Sequence, residues 1–323
     1  MKAIRIHQFG PTEDVLQYED VPTPEPGPGE LLVKVEAASL NRADLSLRSG
    51  RQHIEAKDLP IIPGREFAGT VAALGSTVEG FRIGQRVVAQ PARGGYAEFA
   101  LTPPELARPV PNGVDSMVAA AMPTVFLTSW YALLEDRAMK ADQQVLIQAG
   151  GSGVGMAAIQ IAKGADARVI TTAGNDEKCG RLRALGADKT INYRSKNFKQ
   201  EVLDLTGGRG VDIVLEMVGG EVYNKSLECL APGGRLVSIG GAAGPIPDPP
   251  TTLTEGRTAS RFSITSYLQA HPDGFKQMDT FLEQVRNKIV RVIIDQTFPL
   301  AEARAAQRYL QGRDHFGKIG LVI

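Results

Sequence analysis

The chain has 323 residues, about twice the length of a common domain, so the sequence favours two folded units. Its 36 basic and 36 acidic side chains cancel, which removes the long-range field that attracts nucleic acid or an anionic membrane. Because it has only two cysteines and no apolar run near the ~20 residues that span a bilayer, we expect a cytoplasmic protein without a disulfide framework. The expected partner is a small molecule, with no nucleic-acid or membrane partner.

The first 120 residues contain short segments of alternating polarity, the pattern of half-buried strands. These segments are KAIRIHQ, LLVKVEAASL, GTVAALG and RVVAQ. Turns rich in proline and glycine separate them. This pattern predicts a mostly antiparallel β domain.

From about Pro123 the pattern changes to alternating helices and strands. TVFLTSWYALLEDRA has helical spacing, and the next hundred residues repeat strand and helix with Val- and Ile-rich strands, which predicts a buried parallel sheet. The tail then predicts a strand (RFSITSY), a helix (FKQMDTFLEQVRNK), a strand (VRVIID), a helix (AEARAAQRYLQ) and a final strand (KIGLVI), which return to the first domain.

A glycine-rich turn follows the predicted strand VLIQ and precedes the predicted helix MAAIQIAKGA. The turn contains Ala149, Gly150, Gly151, Ser152, Gly153 and Val154. Between a strand and a helix, such a turn lets the backbone approach a pyrophosphate, although a plain structural turn is the alternative. The third glycine of the usual G-x-G-x-x-G spacing falls on Met156, so Gly155 and Ala158 are the candidates for close helix packing.

The end of the second predicted strand of this domain distinguishes the two nicotinamide cofactors. NAD enzymes place a carboxylate there for the ribose 2′-hydroxyl, whereas this chain has Thr172, Ala173 and Gly174. Asn175 and Lys178 follow, where a 2′-phosphate would be favoured, so the predicted cofactor is NADPH. The alternative is a helix cap and a solvated charge, and Asp176 and Glu177 weigh against a phosphate. Tyr193 and Arg194 are candidates for the adenosine end, or Tyr193 only packs.

With these motifs, the chain resembles the zinc-free quinone oxidoreductase branch of the medium-chain dehydrogenase/reductase superfamily along its whole length. The matching segments are LNRADLSLRSG, IIPGREFAGTV, GGYAEFA, AAAMPTVFLTSWYAL, AGGSGVG and RALGADKTINY. The resemblance implies an α/β protein with a GroES-like, mostly-β catalytic domain (residues 1–123 and 267–323) and a Rossmann domain with a doubly wound parallel sheet that binds NADP(H) (residues 124–266). It also implies a homodimer that pairs through sheet edges, for which RFSITSY is the candidate.

The resemblance also indicates that no metal is used. Zinc-dependent relatives have a cysteine near the position of Asn41 and a His-Glu pair at Arg65 and Glu66, and the four histidines here form no ligand-spaced cluster. Without a Lewis acid, simple ketones and alcohols are poor substrates. Quinones and α,β-unsaturated carbonyls, which accept hydride at conjugated positions, remain as the expected acceptors.

By resemblance, Asn41 and Asp44 form the floor of the active site, where an amide can orient a carbonyl oxygen. The alternative for Asp44 is that it holds the loop. Several relatives have a tyrosine at the position of Ser46 or near Gln52, and its absence here removes the phenol expected as proton donor. His53 is the remaining titratable group on that loop, unless it is simply solvated or solvent supplies the proton. Thr128 is expected to face the nicotinamide.

Three further residues complete the expected cofactor site. Gly240 and Gly241 end a parallel strand and are expected to pass the nicotinamide carboxamide. Arg313 aligns with a family residue that reaches the phosphates, or is a surface charge.

Glu66 and Glu98 are interpreted as structural hydrogen-bonding groups.

These features predict an NADPH-dependent reductase of quinones or enones. The alternatives are a nucleotide-binding protein without enzymatic activity, of the crystallin-like or RNA-binding kind, and a relative of the zinc alcohol dehydrogenases.

Overall fold

The computed structural model describes residues 1–52, 54–134, 139–250 and 253–323. They form two compact units, one made of Met1–Thr124 and Leu268–Ile323, the other of Val125–Tyr267. We call them the N-terminal unit and the central unit. Among the described residues, no helix combines the length and the hydropathy needed to cross a membrane.

The strands are β1 (Lys2–Ile6), β2 (Leu16–Asp20), β3 (Leu31–Ser39), β4 (Phe67–Leu74), β5 (Arg86–Ala89), β6 (Phe99–Thr102), β7 (Ala107–Pro109), β8 (Gln144–Ile147), β9 (Arg168–Ala173), β10 (Lys189–Asn192), β11 (Val211–Glu216), β12 (Leu230–Ser238), β13 (Thr258–Arg261), β14 (Ile294–Pro299) and β15 (Lys318–Val322). The helices are α1 (Arg42–Arg48), α2 (Ser116–Ala120), α3 (Pro123–Leu134), α4 (Gly153–Gly164), α5 (Asp176–Ala184), α6 (Phe198–Leu205), α7 (Gly220–Leu227), α8 (Ile264–Ala270), α9 (Gln277–Arg286) and α10 (Ala303–Gly312).

The N-terminal unit is built on a mostly antiparallel sheet with the order β14-β15-β3-β4-β5-β7, and β6 also pairs with β3. Only β14 and β15 run parallel in this sheet. The helix α10 buries Ala303, Ala306, Gln307 and Leu310, which share one helical face, and it packs on β14 and β15. The predicted β domain is confirmed, and the tail elements β14, α10 and β15 lie in this unit.

The central unit is a parallel sheet with the order β10-β9-β8-β11-β12-β13 and helices between its strands. Counted from β8, this order is 3-2-1-4-5-6, the doubly wound order of dinucleotide-binding domains. Val145, Leu146 and Ile147 of β8 have no exposed surface, as expected for a strand that helices cover on both faces. The order reverses between β8 and β11, and ligands bind at such a point, beyond the carboxyl ends of the strands.

Two strand predictions for the tail differ from the structure, one in its type and the other in its starting residue. RFSITSY is not a strand, because β13 ends at Arg261 and Ile264–Ala270 form α8. Ile264 and Leu268 are buried at helical spacing, and the backbone N–H of Tyr267 donates to Ser263 O over 2.9 Å. The strand predicted at VRVIID begins only at Ile294, where pairing with Lys318 starts.

Candidate cofactor site and candidate catalytic cluster

The glycine-rich turn joins β8 to α4 and is hydrogen-bonded to the neighbouring strand β9. Ala149 has a φ of 51°, in the left-handed region, and its N–H donates to Thr172 Oγ1 over 3.1 Å. The next amide, Gly150 N–H, donates to Thr172 O over 2.9 Å. These two bonds fix the start of the turn against the neighbouring strand.

Two glycines of the turn lie where a side chain would not fit. A Cβ on Gly150 would overlap Thr171 Oγ1, and a Cβ on Gly155 would lie 2.5 Å from Ala149 O and 2.6 Å from Gly150 Cα. Gly155 therefore allows the helix to approach the turn, which confirms the packing role predicted for it in place of a glycine at Met156.

The start of α4 offers hydrogen-bond donors. Ser152 caps the helix, and its Oγ accepts from Gly155 N–H over 3.0 Å. Within the described part of the chain, the amides of Gly151, Gly153 and Val154 have no hydrogen-bond acceptor. Unpaired amides at a helix N-terminus, in a turn without bulky side chains, fit a pyrophosphate.

Thr172 is buried, and its hydroxyl is engaged twice. It donates to Gln148 Oε1 over 2.7 Å and accepts from Ala149 N–H, while Gln148 Nε2 donates to Ser226 Oγ over 3.0 Å. Thr172 was predicted to contact the cofactor. Because its hydroxyl is committed to the loop, the geometry instead makes it a residue that positions the turn.

The residues expected at the adenosine end of the cofactor follow β9. A Cβ on Gly174 would lie 3.0 Å from the hydroxyl of Tyr193, whose surface is 49% exposed, so these two residues lie side by side. Asn175 caps α5, because its Oδ1 accepts from Lys178 N–H over 2.8 Å. The carboxylate of Asp176 accepts from Asn192 Nδ2 over 2.9 Å.

The carboxyl ends of β11 and β12 are tied together. The N–H of Ala242 donates to Met217 O over 3.0 Å, and a Cβ on Gly241 would overlap Gly244 O, whereas Gly240 has more room. Glu216, which was not among the predicted site residues, is fully buried and accepts from the amides of Val218 and Gly219 over 2.6 and 2.9 Å. Burial raises the pKa of Glu216. A lone charged residue in the apolar run IVLEMV was the available signal.

Thr128 lies on α3 and is 6% exposed. Tyr131 on the same helix stacks on Tyr267, with ring centroids 4.2 Å apart, so it belongs to the core of the central unit.

Asn41 lies in a buried polar cluster of the N-terminal unit. Its Nδ2 donates to Glu66 Oε1 over 2.7 Å, and its Oδ1 accepts from Lys318 Nζ over 2.8 Å. Lys318 also donates to Glu66 Oε1 over 2.8 Å and to Leu40 O over 2.7 Å. Glu66 accepts in addition from Ser39 Oγ and, over 2.7 Å, from Thr124 N–H. We call Asn41, Glu66 and Lys318 the Asn41 cluster.

The Glu66–Lys318 pair is buried, with side chains 0% and 3% exposed. Burial raises the pKa of Glu66, but the Lys318 ammonium and the hydrogen bonds outweigh that effect, so the pKa lies below its ordinary value of 4.5. Removing one partner of such a pair typically costs about 3–5 kcal/mol, because the other charge is left buried alone.

Asp44 is buried and bonded on its inner side. Its Oδ2 accepts from Asn41 N–H over 2.8 Å and from the Tyr96 hydroxyl over 2.9 Å, and burial raises its pKa. This geometry supports the alternative stated for it, that it holds the loop. Ser46 is partly buried, with its backbone oxygen bonded to Arg51 N–H. His53 lies outside the described residues.

Arg313 ends α10 with a φ of 67° and is exposed. Arg42, at the start of α1, is partly buried, and the pKa of its guanidinium is lowered by burial and by the nearby charge of Arg313. Helices α1 and α10 contact each other, so two guanidinium groups lie near this junction. Such a pair is suited to an anion.

Arg65 occupies the position at which zinc-dependent relatives have a histidine. The pKa of Asp44 is raised by burial, which the charge of Arg65 partly opposes, but the cation that contacts Asn41 and Glu66 is Lys318. Across the described ranges, no group of three or more His, Cys, Asp or Glu side chains is arranged to hold a metal ion.

Two family models match the chain. One, the alcohol dehydrogenase GroES-like domain, matches residues 27–112, and the other, the zinc-binding dehydrogenase, matches residues 153–284. A quinone oxidoreductase of Pseudomonas aeruginosa is 34% identical over 326 residues, which cover 99% of each chain.

The chain belongs to the quinone oxidoreductase branch of the medium-chain dehydrogenase/reductase superfamily.

Two further proteins show the range of this branch. A 2-haloacrylate reductase of a Burkholderia species is 32% identical over 98% of this chain and 97% of its own. The crystal structure of Escherichia coli quinone oxidoreductase, complexed with NADPH, superposes with a TM-score of 0.92 and 29% identity over the full length of both chains. The predicted family and fold class are confirmed. The protein is a medium-chain oxidoreductase.

Proposed function

We propose that this protein is an NADPH-dependent, zinc-independent oxidoreductase that reduces a quinone or an α,β-unsaturated carbonyl compound. The observation that carries the proposal is the turn between β8 and α4, where Gly150 and Gly155 exclude side chains and three amides have no acceptor in the described chain. The E. coli relative of the same fold is complexed with NADPH, which supports the choice of cofactor.

The central unit is proposed as the cofactor domain. The turn from Ala149 to Val154 binds the pyrophosphate, with Thr172 holding the turn in place. Gly174, Asn175, Lys178 and Tyr193 surround the 2′-phosphate and the adenosine, and Gly240, Gly241 and Thr128 flank the nicotinamide. Arg313, with Arg42 near it, would meet an anionic group of a ligand. When bound, NADPH supplies the hydride.

The N-terminal unit is proposed as the catalytic domain. The Asn41 amide has one Nδ2 hydrogen that, within the described residues, meets no acceptor, and it can donate to a carbonyl oxygen that gains charge as hydride arrives. Asp44 and Ser46 shape the loop behind it. A conjugated acceptor spreads this charge, so no metal is required. His53 or solvent would supply the proton.

The relatives favour two classes of acceptor. One is named a quinone oxidoreductase and another a 2-haloacrylate reductase, so quinones and activated alkenes are both candidates. The relatives favour a reductase over a nucleotide-binding protein without activity.

We also propose that the protein is a cytoplasmic homodimer. Both cysteines are buried and free, which suits a reducing compartment. The strand β13 pairs with β12 on one side and forms the edge of the sheet on the other, so it could pair with the same strand of a second copy.

The test is NADPH oxidation by protein treated with a chelator, with 1,4-benzoquinone, a simple enone, 2-chloroacrylate and cyclohexanone as acceptors. We expect oxidation with at least one conjugated acceptor and none with cyclohexanone. No oxidation with any conjugated acceptor, or activity that appears only when zinc is added, would contradict the proposal.

A further inference from the structure

The orientation of the Asn41 amide is set by two charges of opposite sign. The Lys318 ammonium can only donate, so the amide must turn its Oδ1 toward it, and the Glu66 carboxylate can only accept, so the amide must turn its Nδ2 toward it. Reversing the amide would break both hydrogen bonds and place like polarities together. Only one of the two amide orientations is therefore allowed.

Lys318 has no N–H left for a ligand. Its three ammonium hydrogens are directed to Leu40 O, Asn41 Oδ1 and Glu66 Oε1 over 2.7 to 2.8 Å, and the side chain is 3% exposed. Any effect of Lys318 on a substrate must therefore pass through another residue.

Asn41 is the residue through which such an effect can pass. It is 8% exposed, and in the described part of the chain the second hydrogen on Nδ2 has no acceptor. A cation on the amide oxygen draws electron density from the amide nitrogen, which makes the remaining N–H a stronger donor.

We propose that Lys318 is a positioning residue for the reduction, which together with Glu66 fixes and polarises the Asn41 amide so that its free N–H donates to the oxygen of the acceptor. This inference rests on the proposed function and deepens it. In this cluster the cation is the Lys318 ammonium on β15 rather than a metal ion. Lys318 acts on the substrate through Asn41, which lies between them.

The experiment is a double-mutant cycle. Because Glu66 alone would be left charged and buried, Lys318→Met is combined with Glu66→Gln, and this neutral pair is introduced into both wild-type and Asn41→Ala protein. Single-turnover oxidation of bound NADPH is followed after mixing with benzoquinone, and the Kd for NADPH is measured in parallel.

We expect the neutral pair to slow turnover about 10-fold in wild-type protein, to change it less than twofold in Asn41→Ala, and to leave the Kd for NADPH within twofold. Lys318→Arg, made with Glu66 unchanged, retains a cation, so its rate should lie much closer to that of the wild type than to that of the neutral pair. Equal slowing in both backgrounds, or an unchanged rate in the neutral pair, would overturn the inference while the proposed function stands. If the wild-type protein fails to oxidise NADPH with every acceptor tested, both this inference and the proposed function are overturned.

Asn41→Leu provides a second measurement that leaves both members of the Glu66–Lys318 ion pair in place. Leucine is close to asparagine in shape and has no N–H donor, so we expect it to slow turnover as much as Asn41→Ala. Wild-type turnover in Asn41→Leu would show that no Asn41 N–H is used, and would also overturn the inference.

Discussion

At the scale of single residues, Lys178 tests the preference for NADPH over NADH. It lies in the first turn of α5, after the cap at Asn175, and the carboxylate of nearby Asp176 is bonded to Asn192. A charge-assisted hydrogen bond to a 2′-phosphate contributes about 1.5–3 kcal/mol.

We expect Lys178→Glu to weaken NADPH binding at least 10-fold and to leave NADH binding within twofold, as measured by cofactor fluorescence. Lys189→Glu is the matched control, because Lys189 is exposed at the start of β10, at the opposite end of that strand from Tyr193. Equal loss of affinity for both cofactors in Lys178→Glu would remove Lys178 from the phosphate pocket.

Glu66 gives a dependence of stability on pH. Its pKa is lower in the folded protein than its ordinary value of 4.5, so the unfolded chain binds a proton more readily as the pH falls below that value. Its stabilising contribution is therefore present above pH 4.5 and is lost at lower pH. Thermal unfolding between pH 7 and pH 3 should show a smaller loss of Tm in the neutral pair Glu66→Gln with Lys318→Met than in wild type. Identical Tm profiles would contradict this assignment.

At the scale of secondary-structure elements, the junction of β8 and α4 has the least tolerance for change. Gly155→Ala places a Cβ against backbone atoms of Ala149 and Gly150, so the turn must shift and its amides lose their arrangement. We expect at least a 10-fold loss of NADPH affinity.

Gly164→Ala is the control on the same helix. A Cβ on Gly164 meets nothing within 4 Å, so this change should leave NADPH affinity intact and stabilise the helix by about 0.5–1 kcal/mol. Calorimetric titration of both variants decides the point. Unaltered affinity in Gly155→Ala would show that the turn does not need this close approach.

The elements also show what a sequence can predict here. The parallel sheet and the glycine-rich turn follow from local patterns, because their signals lie within a few adjacent residues. The strand predicted at RFSITSY was wrong because Phe262 and Ile264 alternate as in a strand, whereas the buried residues Ile264 and Leu268 have the i, i+4 spacing of a helix. Tyr267 of that helix stacks on Tyr131. Lys318 was missed for another reason: its partner Asn41 is 277 residues away, and nothing local in KIGLVI indicates that pairing.

At the scale of the whole molecule, β13 allows the proposed dimer to be tested. Phe262 N–H donates to Ser238 O over 2.9 Å, so by alternation the N–H groups of Ala259 and Arg261 face the free edge of the sheet. Proline at such a position leaves the pairing of β13 with β12 intact, because the N–H that it removes faces away from β12. We expect Ala259→Pro to remain folded and to convert a dimer into a monomer in sedimentation velocity. A dimer that persists would place the interface elsewhere.

The central claim is that NADPH reduces a conjugated acceptor without a metal, and its most direct test is one mixing experiment. Protein dialysed against a chelator and shown to be free of zinc is loaded with NADPH or NADH, and benzoquinone is added under anaerobic conditions while cofactor fluorescence is followed. We predict rapid loss of NADPH fluorescence, much weaker loading with NADH, and no dependence on added zinc. Failure of the loaded, metal-free protein to oxidise NADPH with benzoquinone or any other conjugated acceptor would contradict the claim.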